Sequence, residues 1–522
     1  MEGTCGDSDS PLLIGVDAGT TNTKAVVVDA SGHVVAVASE PTPIAHPQPE
    51  WAEYDADTLW SGCVAAIRGA LAQVDRPERI VGISIASMAE TAVPLDAAGR
   101  ATAPAVAWFD KRSRAELAQI VGRIGQERLF ATSGLAPEPI FGLCKLLWLK
   151  NHRAEAYQRT VRWLNTADYI AWKLSGEMAT DHSLACRTFA LDLARLEWSD
   201  TILGEMEVDP SLMAPLAASG TRLGPITAAA AAESGLPPSC VVAVGGHDHV
   251  VGALAADAVR PGVLLNSTGT TEAVMMGIAQ PGRDPALGRA GYSQGVIVVD
   301  EPVWFVVAGL FTAGAAIDWF RQAMAEGADH ATLIAEAAAA PPGSLGAGFL
   351  PQLRLGTPPR PDGRARGAFF GLSTDVTRGC LFRALLEGLA ADSRLCAEGM
   401  LALAPATPIE QVRVIGGLTR NAVYMRIKAA MMGRPVTLVD LPDSVAKGAA
   451  LLAGIGAAVY GGLAEAVERT RGGESRIMPD SKDQVIYDRL LRDVYAHAYP
   501  ALKPVHDAGQ RALGLDGEDR RT

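Results

Sequence analysis

Leu12-Leu13-Ile14-Gly15-Val16-Asp17-Ala18-Gly19-Thr20-Thr21-Asn22-Thr23-Lys24-Ala25-Val26-Val27-Val28 is the stretch on which the reading of this chain turns. Leu12–Val16 is a short apolar run, Asp17–Lys24 is polar, and Ala25–Val28 is apolar again before Asp29. After Ser31-Gly32 a further apolar stretch, Val34–Ala38, follows. The pattern predicts strand, polar turn, strand, Ser-Gly turn and strand, an antiparallel meander. Leu59–Val74 then has helical spacing, and Ile80–Ile85 is a β-branched strand. Alternation of this kind argues for an α/β fold.

The opening pattern returns later. Val263–Leu265 is apolar, Asn266-Ser267-Thr268-Gly269-Thr270-Thr271-Glu272 is polar, and Ala273–Met276 is apolar again. Gly-Thr-Thr occurs at 19–21 and at 269–271, each time between two expected strands. Two halves with similar starts are expected, with a boundary near residue 252. Between them Lys145–Asn151 and Ala167–Leu174, with the surrounding aromatics Trp148, Trp163, Tyr169 and Trp172, suggest a helical subregion. Cys240–Val244 reads as a buried strand that Gly245-Gly246 breaks. In the second half, Val412–Ile415 is a strand ahead of Gly416-Gly417, a helix starts near Asn421, and Ala446–Ala458 is a helix of small residues.

Composition narrows the classes. Of 522 residues, 48% are hydrophobic and 20% charged, so the bulk of the chain has enough apolar surface to offset chain entropy. A net charge of −12 with no basic block disfavours nucleic-acid binding, which rests on counterion release by Lys and Arg. Seven cysteines lack any CxxC spacing, which points away from a disulfide framework or structural zinc and toward a reducing cytoplasm. The longest uncharged runs, Gly448–Ala464 and Pro302–Ile317, fall short of the roughly 20 residues of a membrane-spanning helix. The chain is expected to be soluble and cytoplasmic, with no nucleic-acid or membrane partner; a homodimer stays open.

Three constellations could carry chemistry. In the first, Gly19 lets backbone approach a phosphate, and Thr20, Thr21, Asn22 and Lys24 offer donors to its oxygens. Asp17, at the strand end, could hold Mg²⁺ through water. A plain hairpin turn with an Asx-type Asp is the alternative. The second is Gly245-Gly246-His247-Asp248-His249, where Asp248 stands between strand and helix. A general base, a helix N-cap and, less favoured, a metal site on the two His all fit that placement. The third is Trp108-Phe109-Asp110-Lys111-Arg112, near Ser87-Met88-Ala89-Glu90. Aromatic faces with carboxylates and an Arg suit a polyhydroxylated ligand, and a surface ion-pair cluster beside a core Trp is the alternative. Gly416-Gly417 is a weaker signal for close approach to a flat ring. No P-loop, protein-kinase or HExxH motif occurs.

Taken together and in order, these segments resemble the FGGY carbohydrate kinases of the actin, Hsp70 and hexokinase superfamily. The resemblance rests on Ile14–Lys24, Val106–Arg112, Gly245–Leu254, Pro261–Thr271, Arg366–Leu372 with Arg383–Gly388, and Val414–Asn421 with Gly433–Val436. It implies two actin-like (ribonuclease H-like) domains, each a mixed sheet flanked by helices, with ATP in a cleft between them. Their expected spans are 11–252 and 253–500, after a flexible 1–10 and before a charged tail 501–522. It implies transfer of the ATP γ-phosphate to a sugar or polyol hydroxyl, with ATP and Mg²⁺. Asp248 falls at the family's catalytic base and Asp17 at its Mg²⁺-associated carboxylate. Gly19, Thr20, Thr21, Asn22 and Lys24 fall at the first phosphate motif, and Thr268, Gly269 and Thr270 at the second. Gly314, Gly416, Gly417 and Asn421 fall where the family lines the nucleotide. Met88, Ala89, Glu90, Trp108, Asp110 and Arg112 fall around the acceptor, with Asp248.

The chain also departs from the family. Leu418 stands where a third Gly is frequent, and Arg354-Leu355-Gly356-Thr357-Pro358 replaces a frequent Gly-Glu-Arg-Thr-Pro. Ser87-Met88-Ala89-Glu90 replaces the Gln-Arg-Glu of glycerol kinases. Met88 is similar to xylulose kinases, although their following His is here Ala89, and His247 is similar to fuculokinases. The expected acceptor is a small ketose or polyol: a pentulose such as xylulose, or a fuculose, tetritol or pentitol. An actin- or Hsp70-like ATPase switch, or a sugar sensor without turnover, is the competing reading.

Overall fold

Strand Leu12–Ala18 is buried at every position except the partly exposed Asp17, because its neighbours cover both faces. In the computed structural model, which describes residues 10–404 and 408–514, it pairs antiparallel with Asn22–Asp29 and parallel with Ile80–Ser87. Val34–Pro41 completes the expected meander beside Asn22–Asp29. On the other side, Val241–His247 lies parallel to Ile80–Ser87, and Arg222–Pro225 closes the six-stranded sheet. Helix Ala56–Leu71 buries Leu59, Trp60, Cys63 and Ile67, and Asp55 caps its N-terminus by accepting from Thr58 N.

The strand expected to break at Gly245-Gly246 continues to His247. A register shift separates Ala243 from Gly246, and at Gly245 a Cβ would stand 1.6 Å from the Ile85 carbonyl oxygen. The glycines therefore permit close strand contact rather than ending the strand, and they carry it up to Asp248.

The chain forms two units. One comprises the chain through Val259 with Gln294–Trp304 and Pro442–Gly472; the other comprises Arg260–Ser293, Phe305–Leu441 and Gly473 onward. Where the sequence places one cut near residue 252, the chain thus returns twice to the first unit. The reason for the second return is helix Ser444–Gly456. Its small residues lie flat on the first sheet: a Cβ on Gly15 would stand 1.8 Å from the Ala446 carbonyl oxygen.

In the second unit, Val263–Thr268 pairs antiparallel with Glu272–Ile278 and parallel with Gln411–Ile415. Val436–Val439 and Glu474–Ile477 extend the sheet. The hairpin and its parallel neighbour repeat the pairing seen at Leu12–Asp29, so the second Gly-Thr-Thr turn occupies the same place in its sheet as the first. Helix Arg378–Leu403 supplies much of this unit's core through Phe382, Leu385, Leu386 and Leu389.

Residues 1–9, most of the expected flexible start, lie outside the described residues, as do 515–522. Helix Ala496–Ala512 takes in the first part of the expected tail. Six cysteines are free and buried, and Cys5 lies outside the described residues.

Any side chain at position 15 collides with the helix backbone, which cannot give way locally. Gly15→Ala should therefore destabilise the first unit by about 3 kcal/mol or more, at the upper end for overpacking. Urea unfolding that matches the parent would show that the helix does not dock this closely.

Candidate active site

The first turn is held by its own backbone and by two aromatic groups. Gly19 N donates to Asn22 O at 3.1 Å, and the Tyr54 hydroxyl donates to Thr20 O at 3.1 Å. Trp108 Nε1 donates to Thr20 Oγ1 at 2.9 Å, which brings one member of the expected acceptor-side segment onto the turn. Thr21 and Asn22 are exposed, so their polar groups face outward.

Asp17 and Lys24 face each other across the hairpin. The Lys24 ammonium, however, donates to Asp443 Oδ1 at 2.6 Å. Burial, then the nearby Asp248 and Asp443 charges, push the Asp17 carboxyl up to about 7, against the pull of Lys24. Around Asp17, two further carboxylates thus stand against one ammonium, a balance suited to a cation. Among the described residues no group of three or more His, Cys, Asp and Glu is placed to hold a metal by itself. Mg²⁺ commonly keeps most of its waters and takes one or two carboxylates, with substrate phosphates completing its shell, so this donor set fits it.

Asp248 is the first residue of helix Asp248–Ala255, and His247 occupies the N-cap position without a side-chain cap bond. The N-cap reading of Asp248 is therefore replaced by a first-turn position, where the helix dipole favours its anion. His249 N and the His247 ring approach Asp248 Oδ1, the latter at 3.2 Å. Burial still raises the Asp248 carboxyl above its ordinary range, with the Glu90 charge adding to it and His249 and Arg187 opposing. Burial, together with nearby His249 and Arg187, holds His247 well below its usual range, so it is neutral at pH 7.

Met88, Ala89 and Glu90 are buried at the end of strand Ile80–Ser87. Glu90 adopts a left-handed conformation, φ 59°, which costs about 1–3 kcal/mol for a non-glycine residue and is retained only where the surroundings impose it. Lys145 Nζ donates to the Glu90 and Ala107 carbonyl oxygens, each at 2.7 Å, and pins this segment. Asp110 and Arg112 are turned inward. Their side chains are 0% and 1% exposed, paired at 2.7 Å, with Arg112 also bonded to Glu53 and Asp110 accepting from Ala52 N. The guanidinium carbon sits 3.9 Å from the centroid of the Trp51 ring and 5.0 Å from that of Trp148. Within this unit the structure thus brings Asp17, Glu90 and Asp248 together with the Thr20 turn, and places Asp110 and Arg112 in a buried brace.

In the second unit the Thr268 hydroxyl donates to Ile415 O at 2.9 Å, and Gly269 N donates to Thr271 O at 2.8 Å. Gly314 N donates to Gly269 O at 2.9 Å. Gly416 has φ 99°, and a Cβ there would stand 2.2 Å from Thr268 O. Gly417 faces open space, and Asn421 caps helix Ala422–Met432 by accepting from Tyr424 N. Thr268, Gly269, Thr270, Gly314 and Gly416 are therefore one contiguous backbone cradle, with Gly269 and Thr270 exposed. Beneath it Glu272 accepts from Asn266 at 2.8 Å, Ser393 at 2.8 Å, Lys428 at 2.7 Å and Tyr424 at 3.2 Å.

Comparison with known proteins decides the family. The N-terminal domain of the FGGY family of carbohydrate kinases matches residues 12–255, and its C-terminal domain matches residues 264–457. The chain belongs to the FGGY carbohydrate kinases. It is thus a phosphotransferase with an alcohol acceptor, of the actin-like ATPase fold. A glycerol kinase from Citrifermentans bemidjiense is 32% identical over 86% of this chain and 90% of its own length. A xylulose kinase from Bacillus subtilis is 25% identical over 95% of this chain and 98% of its own. The crystal structure of xylulose kinase from Rhodospirillum rubrum has a TM-score of 0.85 and 31% identity, covering 95% of this chain and 99% of that one. Among the described residues of this FGGY kinase, no helix is long and apolar enough to cross a membrane.

Asp443, Lys145, Arg187 and the Glu272 network escape the sequence reading. Only Glu272 carried a signal, as the last polar residue of the repeated turn. Asp443 and Arg187 lie in segments with no motif, and distant packing brings them to the site.

The Asp17 titration gives a testable sign. From about pH 4, its unfolded value, to about pH 7 the folded chain of this FGGY kinase holds a proton on Asp17 that the unfolded chain has lost. Ionisation of Asp17 therefore removes stability as pH rises through that window. The thermal midpoint of Asp17→Asn, relative to the parent, should rise between about pH 4 and about pH 7 and level off above. A difference that does not vary with pH would remove Asp17 from the titrating cluster.

Proposed function

We propose that this FGGY kinase transfers the γ-phosphate of ATP to a hydroxyl of a small neutral ketose or polyol, with Asp248 as general base. The observation that carries the reading is the Asp248 carboxylate at a helix start, flanked by Asp17 and Glu90, with its basicity raised by burial. A raised carboxyl accepts a hydroxyl proton better than an ordinary one. As the acceptor oxygen bonds to the γ-phosphorus and the bond to the ADP oxygen breaks, the hydroxyl proton moves to an Asp248 carboxylate oxygen.

The Thr20 and Thr268 turns are assigned to the phosphates of ATP, and Gly314, Gly416, Gly417 and Asn421 to its nucleoside end. Asp17, through water, would hold Mg²⁺. Bound there, the ion supplies positive charge to the donor phosphates. Met88, Ala89, Glu90 and Trp108 are assigned to the acceptor. Asp110 and Arg112, being buried and mutually paired, support the acceptor side by fixing Trp51 and Trp148.

A pentulose such as xylulose is the first acceptor to test. Support comes from Met88, from the absence of the Gln-Arg-Glu signature, and from the likeness to xylulose kinases over both family domains. Glycerol stands beside it because the glycerol kinases are equally clear relatives.

The test is ADP release from Mg²⁺-ATP across pentuloses, hexuloses, tetritols, pentitols and glycerol, with Asp248→Asn alongside. One or a few acceptors should stimulate release strongly. Asp248→Asn should lower kcat by about 10²–10⁴ while folding normally. A variant that retains most of its turnover would take the base role from Asp248. Slow release indifferent to every acceptor would favour an ATPase switch.

A further inference from the structure

Arg187 lies in the short helical turn Cys186–Thr188, which follows helix His182–Ala185. That segment packs on the strand end carrying the base. Ser183 Oγ accepts from His247 N at 2.9 Å, and Asp181 accepts from Ser183 and Leu184 N. The Arg187 side chain is 14% exposed, stacked 4.8 Å over Phe141, with Nε donating to Glu90 Oε1 at 2.6 Å. This bond and the Phe141 face orient the guanidinium. Its two terminal nitrogens make no hydrogen bond among the described residues, and they are not sealed from solvent. The stem is thus held while the two terminal donors stay open to water or to a ligand.

We propose that Arg187, oriented by Glu90, binds the acceptor directly, its two terminal nitrogens donating to adjacent hydroxyls of an uncharged polyol or ketose. The inference rests on the reading of Asp248 as the base. The segment carrying Arg187 is tied to His247 through Ser183, His247 pairs with Ser87 at the end of the strand that leads to Glu90, and Arg187 lies close enough to lower the Asp248 carboxyl. The planar fork matches two neighbouring oxygens. The surroundings favour a neutral partner: the Glu90 and Asp248 carboxyl groups lie beside Arg187, His247 is neutral, and the buried Lys145 nitrogen is turned to carbonyl oxygens. A sugar acid or sugar phosphate would meet net repulsion. Ala89 brings no polar side chain beside Glu90; the guanidinium there comes from 97 positions further along the chain.

The test measures acceptor binding separately from turnover. Calorimetric Kd values are determined for each panel sugar, for its deoxy analogue lacking one of two adjacent hydroxyls, and for the matching aldonate. The proteins are the parent, Arg187→Met, Arg187→Lys and Asp248→Asn. Arg187→Met should weaken the best acceptor about 10- to 100-fold, the range for hydrogen bonds to a charged group, and leave KM for ATP unchanged. Arg187→Lys, which keeps the charge but loses the fork, should fall between, and serves if the Met variant folds poorly. The deoxy analogue should bind the parent about tenfold or more worse than the full sugar, and Arg187→Met almost equally. The aldonate should bind worse than the neutral sugar. Acceptor binding unchanged in both variants, a deoxy penalty that persists without Arg187, tighter aldonate binding, or no binding by any sugar would each overturn the proposal. Arg187-dependent binding without phosphorylation would instead sink the kinase reading of Asp248 and leave the proposal standing.

Discussion

Helix Ser444–Gly456 lies against strands Leu12–Ala18 and Ile80–Ser87 with no room for a side chain between them: a Cβ on Gly15 would stand 1.8 Å from Ala446 O, and one on Gly82 2.7 Å from Ala453 O. The same helix touches helix Asp248–Ala255, where a Cβ on Gly448 would stand 2.1 Å from Val251 O. Three site elements are thereby locked to one backbone. Asp17 ends the strand, Asp248 begins the touched helix, and Asp443 immediately precedes the docked one. Glycine and alanine at these positions exchange side-chain burial for backbone proximity. The reward is that the Asp17, Lys24, Asp443 and Asp248 charges are fixed relative to one another by main chain rather than by flexible side chains.

The charges so fixed are of two kinds. Some are satisfied inside the protein: Arg112 with Asp110 and Glu53, and Lys428 with Glu272. Removing one partner of such a pair leaves a buried charge uncompensated, so these knots act as rigid braces. Others are deliberately unbalanced. Asp17, Asp248 and Glu90 lie together, and burial first, with neighbouring carboxylates adding to it, raises the Asp17 and Asp248 carboxyls, a shift characteristic of candidate functional sites. Neighbours in sequence also part company: Trp108 reaches the Thr20 turn while the Arg112 guanidinium is buried in its ion pairs.

Much of this was legible without coordinates. The strand–turn–strand signature at Leu12–Val28 and its echo at Val263–Met276 depend on alternation of apolar and polar residues, a local property, and both hairpins form with matching parallel neighbours. The N-cap role of Asn421 is also local. The reading of Gly245-Gly246 as a break went the other way because glycine carries two meanings. Chain reversal and close approach look alike until the neighbouring strand, here Ile85, is in place.

The sequence by itself determined the fold class, the repeated turns, the family and the candidate base, because each rests on short-range periodicity or on motifs whose residues act together in order. Only the tertiary structure decided which charged groups surround that base. Lys24 and Asp443 are separated by 419 positions, and Arg187 meets Glu90 across 97. Ion pairing depends on distance in space and on desolvation, and packing alone determines both. For that reason Asp443 and Arg187, in stretches without a motif, join the site, while Asp110 and Arg112, within a motif, are drawn into the interior.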